Sequence, residues 1–161
     1  MSYEAFLTDE GLKNYLLLFK KYGYAILKDA PLEKETIVKY SKRIAYIRES
    51  SFGYVADVKV GPQSAIHPAY QGSPLPLHTD LTYREKSPGL LVLHFFQTAD
   101  PKTCGPENAG GKTLLSDGFY AAKQILKQKK IFDVLTSVEV PFSYYDPLSG
   151  LTYRCEQPTI K

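Results

Sequence analysis

The hydrophobic pattern changes along the chain, from a helical period in the first fifty residues to short apolar or alternating runs further on. Apolar side chains recur every three or four residues between Thr8 and Gly23, and again from about Lys34 to Ile47. Thr8 is a typical residue before a helix, and Gly23 is typical of a helix end. Helices followed by strands predict an α+β fold that contains an antiparallel sheet or barrel.

Short apolar runs and turn residues define the remaining elements. A strand is expected at 24–28, and the apolar segment 89–98 predicts a strand that is buried on both faces. Another short strand is expected at 111–116, followed by a helix from Asp117 to Gln128. The alternating pattern of 137–156, with the turn Pro147-Leu148-Ser149-Gly150, predicts a β-hairpin.

Length and composition bound the class of protein. A chain of 161 residues with 43% hydrophobic and 23% charged residues suits one soluble globular domain. The net charge of +3 arises from 20 basic and 17 acidic residues spread along the chain, so no nucleic-acid interface is predicted. No membrane span and no targeting segment are recognisable, and a cytoplasmic protein is expected, with the mitochondrion as the alternative.

The tripeptide His78-Thr79-Asp80 is the strongest chemical signal in the sequence. Residues two apart on an extended chain project to the same side, so an imidazole nitrogen and a carboxylate oxygen could meet at one point. Two histidines and one carboxylate form the facial triad of non-haem Fe(II) oxygenases. Because His-x-Asp also arises often by chance, its context in the chain decides the interpretation.

That context resembles a known family. The segments "LHTDLTYREKSPGLLVLHFFQ" (77–97) and "LLSDGFYAAKQI" (114–125), with Gly110-Gly111-Lys112-Thr113 between them, look like the taurine dioxygenase family of Fe(II)/2-oxoglutarate oxygenases. The segment "FKKYGYAILKDAP" (19–31) leans toward its gamma-butyrobetaine hydroxylase and trimethyllysine dioxygenase branch. The resemblance implies a double-stranded β-helix, a jelly-roll barrel with iron at its open mouth.

The resemblance also implies a reaction and its cofactors. His78 and Asp80 would be two iron ligands, Thr113 would lie near the carboxylate of 2-oxoglutarate, and Leu93 would line the co-substrate pocket. Fe(II), 2-oxoglutarate as co-substrate and ascorbate are the implied cofactors. The implied activity is hydroxylation of a small metabolite, in the context of carnitine biosynthesis.

A cage for a trimethylammonium group is implied in the same way. Tyr70 matches an aromatic wall of that cage, which attracts the cation through its ring faces. Ala56 stands where a large aromatic residue is expected, and His67 stands where an amide is common. Phe52 and Tyr54 would compensate for the missing ring. Tyr70 is equally well explained by core packing.

The third ligand has no candidate in the sequence. The family pattern requires a later histidine and, soon after it, an arginine for 2-oxoglutarate, and both fall beyond residue 161. His94 alternates with apolar neighbours, which predicts a core or edge histidine, and Arg154 follows no histidine. Residues 1–161 are therefore expected to form the N-terminal portion of a catalytic domain. Its open edges favour a homo-oligomer or a completing chain.

Three other interpretations compete with this one. Gly111-Lys112-Thr113 suggests a phosphate-binding loop, but that motif requires glycine at position 106, where the chain has Pro106. The chain could instead be a non-catalytic truncated paralogue that binds a partner. The third alternative keeps the oxygenase chemistry but replaces the cationic substrate with a sulfonate or another small acid.

Overall fold

The computed structural model describes residues 1–50, 52–59, 73–100, 102, 105, 111–147 and 149–161. Helices and strands both occur, which confirms the mixed composition expected of an α+β fold. The helices are α1 (Tyr3–Phe6), α2 (Asp9–Tyr22), α3 (Lys34–Ile44), α4 (Gly118–Leu126) and α5 (Lys129–Ser137), and the strands are β1 (Glu139–Asp146) and β2 (Leu151–Pro158). These two strands pair as an antiparallel hairpin.

Helix α2 begins and ends where the sequence predicts. The Thr8 hydroxyl oxygen accepts a hydrogen bond of 3.0 Å from the backbone N–H of Gly11, which satisfies one of the free donors of the first turn. At the other end, Gly23 has a φ angle of 76°, a left-handed conformation that glycine adopts without a Cβ penalty. The short helix α1, just before α2, was not predicted.

An aromatic core joins the three N-terminal helices. Phe6 is fully buried, and its ring centroid lies 5.3 Å from that of Tyr15 and 4.8 Å from that of Tyr40. The Tyr40 hydroxyl donates a hydrogen bond of 2.6 Å to the Tyr15 oxygen, and the Tyr15 hydroxyl donates one of 3.1 Å to the carbonyl of Ala25. Both buried hydroxyls therefore have hydrogen-bond partners, as burial requires.

Three predicted strands are wrong. Segment 24–28 forms only an isolated bridge, between Lys28 and Ser2. Segments 89–98 and 111–116 are described throughout, and neither contains a strand. Leu91 is 62% exposed, so the expectation of burial on both faces fails as well. Apolar composition alone does not make a strand, because the backbone also needs a neighbouring strand to accept and donate its hydrogen bonds.

Two predicted helix boundaries are also corrected. Helix α3 ends at Ile44 rather than Ile47, because Ala45 takes an extended conformation. Helix α4 ends at Leu126 rather than Gln128, and a separate helix, α5, follows from Lys129. The start of α4 is as expected, since the Asp117 carboxylate accepts a hydrogen bond of 2.8 Å from the N–H of Tyr120.

The predicted hairpin is confirmed. Tyr144 on β1 lies directly opposite Tyr153 on β2, and their rings stack at an angle of 20° with centroids 6.5 Å apart. Burial alternates along both strands, so one face of the hairpin is covered and the other is exposed. The covered face of β2 carries Tyr153, Cys155 and Gln157, and it meets the segment that contains His78 and Asp80.

Candidate metal centre

The imidazole of His78 is held by the backbone two residues earlier. Its Nδ1 atom lies 2.7 Å from the carbonyl oxygen of Pro76. A carbonyl oxygen only accepts hydrogen bonds, so Nδ1 carries the proton and Nε2 keeps its lone pair in the neutral ring. Metal-binding histidines commonly fix their second nitrogen in this way.

Asp80 lies on the open side of that ring. Its Oδ1 atom is 3.3 Å from Nε2 of His78, and the two side chains are 42% and 52% exposed. Two ligand atoms at adjacent corners of an octahedral metal are about 3 Å apart when the metal–ligand bonds are about 2.1 Å. The spacing therefore fits a shared metal ion, whose charge would satisfy two acceptors that otherwise face each other.

A tight turn follows the pair. Leu81 has a φ angle of 55°, in the left-handed region that a branched side chain rarely adopts, and the N–H of Arg84 donates a hydrogen bond of 3.0 Å to its carbonyl. This conformation costs roughly 1–2 kcal/mol. Strained backbone of this kind persists where the surrounding contacts enforce it, and it is enriched at functional sites.

Those surrounding contacts come from the hairpin. The side-chain amide of Gln157 donates a hydrogen bond of 2.6 Å to the carbonyl of Thr82, across 75 residues of sequence. The ring of Tyr83 stacks on Tyr144 with a centroid distance of 5.0 Å, and the guanidinium of Arg84 lies 5.7 Å from the centre of the Tyr153 ring. The turn after Asp80 is thus bound to both strands.

These contacts were not predicted from the sequence, although the sequence contains one signal of them. The alternation along β2 places Gln157 on the same face as Tyr153 and Cys155, and a glutamine on a covered face needs a hydrogen-bond partner. The pattern says that a partner exists but does not say which residue it is.

The two predicted co-substrate residues lie apart from regular structure. Leu93 is 59% exposed, and Thr113 is exposed on the segment that leads into α4. His78 and Asp80 are therefore the predicted pair that the structure brings together. The positions of Leu93 and Thr113 near 2-oxoglutarate stay predictions.

The residues predicted to form the aromatic cage differ in their surroundings. Phe52 is half-buried and its ring lies 6.1 Å from that of Tyr144, so it packs against the hairpin. Tyr54 is 55% exposed, and the negative charge of Glu49 is the main cause that raises the pKa of its hydroxyl. The other two predicted substrate contacts, Tyr70 and His67, lie outside the described residues.

A third ligand is absent from the described part of the chain. No group of three or more His, Cys, Asp and Glu side chains in that part could hold a metal. His94 stacks on Phe96 with centroids 4.5 Å apart, and both of its ring nitrogens are buried without a hydrogen-bond partner among the described residues. His94 as a whole is only half-buried, so it is not a fully buried core residue.

The helices that the structure describes include none that is long and apolar enough to cross a membrane.

The chain is similar to proteins of one known family. Residues 1–161 match the family model described as "Taurine catabolism dioxygenase TauD, TfdA family". Trimethyllysine dioxygenase, mitochondrial, of Bos taurus is 35% identical over 152 residues, which cover 91% of this chain and 33% of the relative. Gamma-butyrobetaine dioxygenase of Pseudomonas sp. (strain AK-1) is 34% identical over 153 residues, which cover 94% of this chain and 37% of the relative.

A third relative, trimethyllysine dioxygenase, mitochondrial, of Homo sapiens, is 36% identical over 144 residues, 86% of this chain and 31% of the relative. The chain thus spans about a third of the length of the relatives that it matches. The predicted resemblance to the family, and to the branch that contains these two dioxygenases, is confirmed. The His78–Asp80 pair, the matching family model and the relatives lead to one conclusion: this chain belongs to the TauD/TfdA dioxygenase family.

Proposed function

We propose that this chain contributes to an Fe(II)/2-oxoglutarate-dependent dioxygenase that hydroxylates a small metabolite with a trimethylammonium group. The observation that carries this proposal is the geometry of His78 and Asp80, with Nε2 and Oδ1 3.3 Å apart and Nδ1 of His78 bonded to a carbonyl. Family membership supports the reaction type, and the names of the relatives support the substrate class.

His78 and Asp80 are the residues of this chain that would hold the iron. A neutral imidazole and a carboxylate suit Fe(II), whereas thiolates would be expected in a closed zinc site. When bound, iron with 2-oxoglutarate supplies the activation of dioxygen for hydroxylation of a C–H bond. The task of the protein is to orient the ligands and the substrate and to exclude water.

Leu93 and Thr113 are proposed to seat the co-substrate. The Thr113 hydroxyl can donate a hydrogen bond to a carboxylate, and the Leu93 side chain can cover the carbon chain. Both side chains are exposed in this structure, so both are accessible to a ligand. Ascorbate is proposed as an auxiliary reductant of the complete enzyme.

The cationic substrate is proposed to contact Tyr54, Tyr70 and His67. Tyr54 is the described member of this set, and its ring is 55% exposed and therefore open to a cation. Phe52 packs against Tyr144, so we assign it a supporting role behind the cage rather than a wall within it.

Residues 1–161 are proposed to form the N-terminal portion of one jelly-roll catalytic domain. Segments 89–98 and 111–116 form no strand and expose apolar side chains, as segments of a barrel would without their neighbours. Further strands, from the same polypeptide or from a completing chain of different sequence, would pair with them and supply the third ligand. We propose a cytoplasmic location, with the mitochondrion as the alternative that the names of the mammalian relatives suggest.

The proposal is tested on a longer protein that contains this chain, together with Fe(II), 2-oxoglutarate and one candidate substrate at a time. We expect succinate and a hydroxylated product in equal amounts with gamma-butyrobetaine or trimethyllysine. The His78→Ala variant should form neither. An Asp133→Asn variant is the matched control, because Asp133 is an exposed residue on α5, where it pairs with Lys129.

The other outcomes discriminate among the alternatives. Turnover with taurine and not with the trimethylammonium compounds would contradict the proposal of a cationic substrate and support a small acid as the substrate. Succinate formation that His78→Ala leaves unchanged would contradict the assigned metal centre. If a folded protein formed no succinate with any substrate, the proposal that it is an enzyme would be contradicted. The non-catalytic alternative would then remain.

A further inference from the structure

We propose that Gln157 and Tyr83 are positioning residues for the metal centre, through which the β1–β2 hairpin holds the turn that carries Asp80. The proposal rests on the proposed function, because it assumes that His78 and Asp80 bind the metal. It goes beyond that function by assigning a role to a hairpin that contributes no ligand itself.

The segment that carries the ligand pair has little structure of its own. His78 and Asp80 are about half exposed; His78 lies outside helices and strands, and Asp80 is the first residue of a turn. Neither burial nor a helical or sheet hydrogen-bond network fixes their positions. A metal site needs its ligands held in place before binding, since ordering them on binding reduces affinity.

Gln157 supplies one of the missing constraints. The residue is only 9% exposed, and its side-chain amide donates a hydrogen bond of 2.6 Å to the carbonyl of Thr82, two residues after Asp80. Gln157 lies on β2 opposite Val140, so the strand pairing fixes the place from which the amide reaches. This part-buried hydrogen bond from a paired strand restricts the turn that it reaches.

Tyr83 supplies a second constraint. Its ring packs against both hairpin tyrosines, with its centroid 5.0 Å from that of Tyr144 and 5.8 Å from that of Tyr153. Its hydroxyl is buried without a hydrogen-bond partner among the described residues. The ring therefore carries the contact, and the hydroxyl adds nothing that the described structure uses.

The same cluster is poorly suited to bind a cationic ligand. The guanidinium of Arg84 already lies over the Tyr153 ring, at 5.7 Å, and Phe52 covers Tyr144 at 6.1 Å. The aromatic faces are thus occupied by the protein's own side chains, as expected of a structural contact. This observation favours a positioning role over a second substrate site.

The test measures Co(II) binding by the full 161-residue chain, followed through the visible absorption of the bound metal. We expect Gln157→Met to raise the Kd about tenfold and to change the Co(II) spectrum, as loss of an indirect support of a metal ligand does. Gln128→Met is the matched control, because Gln128 is exposed and its side chain does not cap α5. It should keep the wild-type Kd.

Tyr83 gives an independent pair of variants. Tyr83→Phe should keep the wild-type Kd, because the hydroxyl has no described partner, whereas Tyr83→Leu should raise it by removing the stacked ring. If circular dichroism shows that Gln157→Met does not fold, the two Tyr83 variants alone test the proposal. Wild-type Kd values for folded Gln157→Met or Tyr83→Leu would overturn the proposal.

Hydrogen exchange of residues 78–86 separates this proposal from the proposed function. If the wild-type 161-residue chain does not bind Co(II), the two described ligands are insufficient without the third, and hydrogen exchange then tests the contact between the hairpin and the turn. Faster exchange in Gln157→Met than in Gln128→Met supports the proposal that the hairpin restrains the turn. Equal exchange in the two variants overturns it.

Discussion

Nε2 of His78 faces Oδ1 of Asp80 at 3.3 Å, while Nδ1 of the same ring is bound to the carbonyl of Pro76 at 2.7 Å. The imidazole is thus oriented by the backbone, and its free nitrogen points at the carboxylate. A ring held in one tautomer presents its lone pair without a further conformational change.

The first prediction concerns the two ligands. His78→Ala and Asp80→Asn should each weaken Co(II) binding by more than about 100-fold, since loss of an indirect support alone costs about 10–100-fold. Isothermal titration calorimetry measures the affinity. The chain should stay folded, because both side chains are about half exposed. Asp133→Asn should bind as wild type, and equal weakening in that control would contradict a specific site.

The second prediction concerns the paired hydroxyls of the N-terminal core. Tyr15→Phe should reduce the free energy of unfolding by about 1–3 kcal/mol, because it leaves the buried Tyr40 donor without its acceptor. Tyr40→Phe should cost less, about 0.5–1.5 kcal/mol, because Tyr15 still donates to Ala25. Urea unfolding measures both. The half-exposed Tyr24 provides the control Tyr24→Phe, with almost no effect; the reverse ranking would contradict the assigned donors.

The third prediction concerns alkaline pH. Burial, and then the hydrogen bond with Tyr15, raise the pKa of Tyr40. In the unfolded chain this tyrosine ionises near pH 10, while in the folded chain it stays neutral, so its contribution to stability is present below about pH 10 and is lost above it. Above pH 10, the free energy of unfolding of the wild type should fall by about 1.4 kcal/mol per pH unit more than that of Tyr40→Phe. If the free energy of unfolding depended on pH in the same way for the two proteins, the raised pKa of Tyr40 would be contradicted.

The fourth prediction concerns two glycines at helix starts. A Cβ atom on Gly11 would lie 1.7 Å from the carbonyl oxygen of Ala5, so Gly11→Ala should cost about 3 kcal/mol. A Cβ atom on Gly118 would meet nothing within 4 Å, so Gly118→Ala should stabilise by about 0.4–1 kcal/mol. Thermal unfolding compares the two variants. Equal shifts would show that α1 and α2 are not packed as described.

The fifth prediction concerns the proposed barrel. In the 161-residue chain, the backbone amides of residues 90–96 should exchange rapidly, because this segment forms no strand. In a longer protein that completes the barrel, the same amides should exchange at least about 100-fold more slowly. Amides of β1, already paired with β2, serve as the internal reference. Unchanged exchange of 90–96 would contradict pairing of this segment in a barrel.

Local chemistry was sufficient for several predictions. Thr8 and Gly23 marked the ends of α2 because each acts through backbone groups within a few residues. The alternation on either side of the turn at 147–150 predicted the hairpin for the same reason. The segments around His78 and Asp80 were enough to identify the family.

The remaining features depend on residues that are distant in sequence. Segments 24–28, 89–98 and 111–116 have strand-like composition, but a strand forms only where a second strand satisfies its backbone. The sequence by itself determined both ends of α2, the start of α4, the hairpin and the pair of candidate ligands. Only the tertiary structure decided that Gln157 holds Thr82 and that Tyr83 stacks on Tyr144, because these contacts form between segments that folding brings together.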